Sequence, residues 1–349
     1  MNEVPQAEWA ALYAAVAAFY DLAPWQWMNP YQMFAVANPE NGEVAYCAVI
    51  GNSQRGLGLT AFIGPEGWKF LRAVRTPKRP STEETVRYGQ RSLVLTFESS
   101  TQLDTLVDAV DKDHARQFHW NPNGSLQQPQ TWPVFRSYQP GFVGWYLNRS
   151  EVSFFTCILE QAVAVTRRVS HHGQLLNPVR EGTLLTRVPS RATPDSGAIE
   201  WTDAWTEVPR GAQPQLPPVW VDARRVKQAI RGAQVAPPWE VDLAFAPHLF
   251  TQSGRPRFPR LLMCVDSETG TVHEVADISG SLDGQAVTDR LLLTISRLSR
   301  YPSRFVTARA DVTHLVTPLA AALGSQVVEH YRLPMLEKAR ATLFRQFDK

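Results

Sequence analysis

Residues 237–245 read PPWEVDLAF, and they place an acidic residue, Asp242, inside a run that otherwise reads as a buried strand opening just after a proline pair. What surrounds this strand decides the fold of the second half of the chain. A loop rich in Gly, Arg and Pro follows, then β-prone residues from Arg260 to Val265. The turn Asp266-Ser-Glu-Thr-Gly270 leads into a third run, Thr271 to Ile278. From Gln285 to Arg300 the residues Val287, Leu291, Leu292, Ile295 and Leu298 recur at helical spacing. Beyond them lie a strand at Arg304–Ala308, a helix over Val312–Leu323 stopped by Gly324, a strand at Gln326–Tyr331 and a last helix over Pro334–Phe347. Proline in its first turn and glycine after its predecessor are the usual punctuation of helix ends. The order is βββαβαβα.

Upstream, Val219–Gly232 reads as a strand and a helix, and Pro209–Pro218, PRGAQPQLPP, reads as a linker because its prolines favour an extended connection. The expected layout is an α+β domain over 1–208, a linker over 209–218 and an α/β domain over 219–349. In the first domain, Trp9, Leu12, Tyr13, Val16, Phe19 and Tyr20 give one face of a helix over Ala7–Tyr20. Met33–Ala37 and Val44–Ile50 form a hairpin about Asn38–Gly42, with Gly42 free to take a positive φ. Further strands are expected at Leu57–Ile63 and Ser92–Phe97, and helices at Trp68–Val74, Thr101–His114 and Arg149–Val169. Thr76–Glu84 and Asn121–Pro133 read as loops. A hairpin of Leu184–Val188 and Ala198–Val208 closes the domain.

Composition narrows the function classes. The 349 residues are 44% hydrophobic with 11 tryptophans, enough for two buried cores, and 35 basic against 33 acidic residues leave a formal charge of +2. No global field draws in nucleic acid or an anionic membrane. From Trp239 onward thirteen Lys and Arg stand against twelve Asp and Glu. Cys47, Cys157 and Cys264 are odd in number and far apart, which fits neither a disulfide framework nor a cysteine zinc site and points to a reducing, cytoplasmic setting. No apolar run approaches the roughly 20 residues of a membrane helix, so no membrane partner is expected.

The βββαβαβα order resembles the ribonuclease-H-like fold of integrase and transposase cores. In that fold the first strand often carries Trp-x-x-Asp and a second Asp follows the fourth strand. Trp239-Glu-Val-Asp242 and Arg309-Ala-Asp311 occupy those places here, and Glu337 is the nearest match for an acidic residue on the last helix. The resemblance implies that Asp242, Asp311 and Glu337 are catalytic and bind two divalent metals, Mg or Mn, in a nuclease or strand-transferase that acts on nucleic acid. Here Val-Thr follows Asp311, and the spacer before Glu337 is shorter than in integrases. Across both domains, LAPWQWM, NPENGEVAYCAVIG, GPEGW, WEVD and VDSETG resemble a bacterial two-domain family of unknown function, which implies the layout and no chemistry.

Each acidic residue also has a structural reading. Asp242 is a strand residue paired with an arginine such as Arg257 or Arg260, Asp311 is the N-cap of its helix, and Glu337 complements a helix dipole. On these readings the chain is a binding or interaction module without strong catalysis, for a protein partner or small ligand, with no cofactor. Trp25, Trp27, Tyr31 and Phe34 are further candidates for a ligand-lining cluster.

Overall fold

The computed structural model describes residues 4–51, 57–75, 80–99, 108–121, 131–190, 199–209, 218–251, 254–279 and 284–346. The chain divides into two compact units, Met1–Ala212 and Gln213–Lys349. Of the expected linker, residues 210–217 lie outside the described residues, as do 101–107 of the helix expected at Thr101–His114 and 122–130 of the expected Asn121–Pro133 loop.

The first unit is a seven-stranded sheet with helices on both faces. Its strands are β1 (Phe34–Ala37), β2 (Val44–Ile50), β3 (Leu57–Ile63), β4 (Ser92–Ser99), β5 (Thr131–Tyr138), β6 (Thr183–Ser190) and β7 (Glu200–Glu207), in the order β5-β4-β3-β2-β1-β6-β7. The helices are α1 (Gln6–Leu22), α2 (Gly64–Arg75), α3 (Pro80–Tyr88), α4 (Ala109–Gln117) and α5 (Arg149–His171). Leu12, Val16 and Phe19 of α1 and Phe155, Ile158 and Leu159 of α5 are fully buried in one core with Phe34, Leu59 and Leu95 of the sheet. Each such side chain contributes about 1.5–3 kcal/mol by leaving water. Phe70 and Leu71 of α2 cover the opposite face with Tyr46 and Phe62.

The β1–β2 hairpin forms as read, with Ala37 opposite Val44 and Gly42 at φ +74. Four sequence expectations need correction. Residues 80–88, within and beyond the expected Thr76–Glu84 loop, form α3; a proline at the first helical position is compatible with a helix start. β5 begins at Thr131, inside the expected Asn121–Pro133 loop. Pro133 is tolerated because β5 is an edge strand and needs no donor on its outer side. The β6–β7 hairpin does more than close the domain, because β6 pairs in parallel with β1 and extends the sheet. The helix expected at Trp68 starts at Gly64, which takes φ +63.

The second unit opens with α6 (Ala223–Ala229), and Val219–Val221 before it is not a strand. β8 (Gln234–Ala236) follows, then β9 (Trp239–Phe245), β10 (Arg260–Asp266) and β11 (Val272–Asp277), α7 (Gly284–Leu298), β12 (Arg300–Pro302), β13 (Arg304–Thr307), α8 (Ala310–Leu323), β14 (Gln326–Glu329) and α9 (Pro334–Arg345). The five-stranded sheet runs β11-β10-β9-β13-β14. β9 to β11 form an antiparallel meander, whereas β13 and β14 run parallel to β9. The short strands β8 and β12, absent from the sequence reading, pair with each other in a separate two-stranded ribbon.

β9 is central and separates two cores. Trp239, Val241 and Leu243 point into the one built with α7 and α8, through Val287, Leu291, Leu315 and Leu319. Leu261, Met263 and Val265 of β10 face the other way, toward Leu333, Leu336 and Leu343 in and before α9. At the β10–β11 turn the Asp266 carboxylate accepts from the N–H groups of Glu268 (2.9 Å) and Thr269 (2.8 Å), and Gly270 takes φ +72.

Gly58 in β3 gives a direct test of the first unit. Its φ is +153, and a Cβ there would lie 2.0 Å from the Leu95 carbonyl oxygen on β4. Gly58→Ala is expected to destabilise the first unit by at least about 2 kcal/mol. Urea denaturation of the full chain measures it; a change under about 0.5 kcal/mol would contradict the strand packing.

Candidate functional site

The three carboxylates singled out by sequence all lie in the second unit, and each is held by its own arginine. Asp242 occupies the middle of β9 opposite Met263, on the side facing α9. It is 7% exposed and accepts a hydrogen bond from Nη1 of Arg340 in α9 at 3.3 Å. An arginine does meet Asp242, as expected, but it is Arg340, which the sequence reading did not name; Arg257 pairs with Asp277 at 2.9 Å, and Arg260 reaches Asp311 at 3.5 Å.

Asp311 is not the N-cap of α8. The helix starts two residues earlier than the N-cap reading requires, with Arg309 in extended backbone at the cap and Asp311 inside the first turn. Its carboxylate receives a bidentate pair from Arg309, Nε to Oδ1 at 3.1 Å and Nη2 to Oδ2 at 2.7 Å. The same guanidinium donates through Nη1 to the carbonyl of Leu243 at 2.9 Å, tying the start of α8 to β9 one residue past Asp242. Burial pushes the Asp311 carboxyl up, but the hydrogen bonds and charge of Arg309, joined by Arg260, outweigh it and hold it below the usual carboxylate range.

Glu337 sits in the first turn of α9 and pairs with Arg332 at 2.6 Å, which holds its carboxyl low. Among the described residues no group of three or more His, Cys, Asp or Glu side chains is arranged to hold a metal ion. Arg309 thus ties the Asp311 turn to β9 at the residue after Asp242, and Glu337 is turned to a different arginine.

The neighbouring Glu240 went unnoticed in the sequence. It is 4% exposed, and its Oε2 accepts the backbone N–H of Leu336 at 2.6 Å. The N-cap position of α9, Leu333, supplies no side-chain cap, so the carboxylate from β9 does so from across the sheet. Burial raises its carboxyl, against the N–H groups of Leu336 and Met335. A signal was present: an acidic residue two positions before Asp242 lies on the same face of a strand.

The segments that follow β9 and β14 also present apolar surface. Leu249 and Phe250 follow β9 and are 50% and 41% exposed; Tyr331 follows β14 and is 88% exposed. Arg257 lies over the Phe250 ring at 5.0 Å, and the rings of His330 and Tyr331 stack. In the first unit the expected aromatic cluster splits. Trp25 and Phe34 are core, while Trp27 and Tyr31 are exposed, the latter beneath Arg75.

Residues 9–187 match the family described as a domain of unknown function (DUF7309), and the chain belongs to that family. Residues 222–344 match a second family, also described as a domain of unknown function (DUF6930). No curated protein and no solved structure matches the chain. No helix among the described residues is long and apolar enough to cross a membrane.

The Arg309–Asp311 pair yields a signed pH test. Because the folded carboxyl titrates below its unfolded value near 4, its stabilisation is complete above that pH and is lost as pH falls through the folded value. Arg309→Ala is expected to cost about 2 kcal/mol at pH 7, less than for a fully buried pair, and no more than about half of that at pH 2.5. Urea denaturation at the two pH values reads the difference, and an equal cost at both would show that the pair is not ionic.

Proposed function

We propose that this chain is a two-domain binding protein whose second domain, 219–349, uses a ribonuclease-H-like frame as an interaction scaffold rather than as a metal-dependent catalyst. The β11-β10-β9-β13-β14 order, with only β10 antiparallel to the rest, supports the frame. The observation that carries the functional reading is the occupation of Asp242 by Arg340, of Asp311 by Arg309 and Arg260, and of Glu337 by Arg332. A carboxylate that binds a divalent cation must offer its oxygens to the ion; here both oxygens of Asp311 and of Glu337, and Oδ2 of Asp242, face guanidinium groups. Exposed Leu249, Phe250 and Tyr331, with Arg257 against Phe250, provide the aromatic and arginine anchors on which protein interfaces depend. The three cysteines are free thiols, and Cys47 and Cys264 are buried, in keeping with a cytoplasmic setting.

The second reading is a Mg- or Mn-dependent nuclease or strand transferase. Its support is the hydrogen bond from Arg309 to Leu243, which brings the Asp311 turn to the strand that carries Asp242. In that enzyme the arginines would have to release Asp242 and Asp311 for two cations to enter. Thermal melts with and without millimolar Mn²⁺, together with a cleavage assay on single- and double-stranded DNA and RNA, separate the two. The expected result is a melting temperature that Mn²⁺ leaves unchanged within about 1 °C and no cleavage. A Mn²⁺-dependent rise and cleavage, both lost in folded Asp242→Asn and Asp311→Asn, would establish the enzyme instead.

A further inference from the structure

A cavity of about 770 Å³ lies wholly within the first unit, between the outer face of α1 and residues 117–121 at the end of α4. It is independent of the second domain and of the reading proposed for that domain. Its volume falls within the roughly 300–1,000 Å³ of pockets for drug-sized ligands.

One wall is a shelf of methyl groups. Ala7, Ala10, Ala14 and Ala17 recur at three- and four-residue spacing along α1, and all four are exposed. Between Glu8 and Asp21 the helix carries no charged residue, whereas a helix face that meets only water is normally polar. The other wall is aromatic and held in place. Phe118 stacks on Tyr13 with 5.0 Å between ring centroids, and Trp120 stacks on Phe97 at 5.8 Å while its indole N–H donates to the Thr131 carbonyl at 2.8 Å.

Tyr13 is the residue that points to a ligand. It lines the cavity, is only 5% exposed, and its hydroxyl makes no hydrogen bond among the described residues. Burial, joined by the charge of Asp111, pushes its ionisation up, so the group keeps its proton at neutral pH and can donate. A buried tyrosine hydroxyl ordinarily has a partner, and an acceptor atom brought by a ligand would complete this one. Charge narrows the ligand further. The lining holds no lysine or arginine, and its one carboxylate, Asp21, is exposed near the end of α1. An anion would leave water here without a lysine or arginine to meet it.

We propose that this cavity binds an uncharged, planar heteroaromatic molecule of about two or three fused rings. The rings lie flat on the alanine shelf with an edge toward Phe118 and Trp120, and a ring nitrogen or carbonyl oxygen accepts from the Tyr13 hydroxyl. The shelf admits a flat ring because none of its side chains extends past Cβ, and the aromatic wall favours a ring over an aliphatic chain.

The test is equilibrium dialysis of the full chain with quinoxaline, whose ring nitrogens are acceptors, and with naphthalene, which has the same shape and no acceptor. Quinoxaline is expected to bind at one site per chain, and quinoxaline-2-carboxylate, the same ring with a negative charge, at least about tenfold more weakly. Tyr13→Phe removes only the hydroxyl and keeps the ring against Phe118. It is expected to weaken quinoxaline about fivefold, the worth of one hydrogen bond between neutral groups, and to leave naphthalene unchanged. Ala14→Leu fills the shelf at an exposed position and is expected to weaken both rings at least about tenfold, with thermal melts showing that both variants are folded. Absence of quinoxaline binding, an equal effect of Tyr13→Phe on the two rings, or unchanged affinity in Ala14→Leu would overturn the assignment. A concentration-dependent dimer that Ala14→Leu breaks, with no quinoxaline bound, would give this face to a second copy of the chain instead.

Discussion

The hydrogen bond from the Leu336 N–H to the Glu240 carboxylate joins the central strand of the second unit to its last helix. β9 is buried on both faces, so whatever it directs toward α9 must be satisfied by α9. Glu240 caps that helix, and Asp242, two residues on, meets Arg340 one turn farther along it. A strand with apolar Trp239, Val241 and Leu243 on one side and two carboxylates on the other thus fixes which helices lie on which face. Slipping β9 by one residue would send both acids into the core with Leu291 and Leu319, at a cost of several kcal/mol per unpaired charge.

The same kind of pairing gives Asp311 a structural role. A buried carboxylate can be neutralised by a cation in solution or by a neighbouring guanidinium. Arg309 offers Asp311 the planar fork that matches both oxygens, and a third donor of that group holds Leu243. The arrangement anchors the start of α8 through the guanidinium of its cap residue, which caps none of the helix's free N–H groups. Each of these contacts has a structural role.

Much of this architecture was legible in the sequence, because β9, β10, β11, α7 and α8 carry strong periodicity or clear turn residues such as Asp266 and Gly270. What escaped depends on contacts distant in the chain. The parallel pairing of β1 with β6 joins segments about 150 residues apart and leaves no local trace. β5 was hidden by Pro133, whose edge position cannot be known before the strand order, and β8 and β12 are three residues each, too short for a pattern. At the candidate site the residues Asp242, Asp311 and Glu337 were visible, but the arginines that hold them were not. Arg340 lies 98 residues from Asp242, and Arg309 precedes Asp311 by only two, a spacing that reads as nothing without the helix start.

The central claim is that guanidinium groups, not metal ions, neutralise the carboxylates at this end of the sheet. Anomalous X-ray diffraction from crystals of the full chain soaked in Mn²⁺ addresses it atom by atom. The account predicts no anomalous peak within coordination distance of Asp242 or Asp311, with Arg309 and Arg340 still against them. A Mn²⁺ peak bridging the two aspartates, with either arginine swung away, would contradict it.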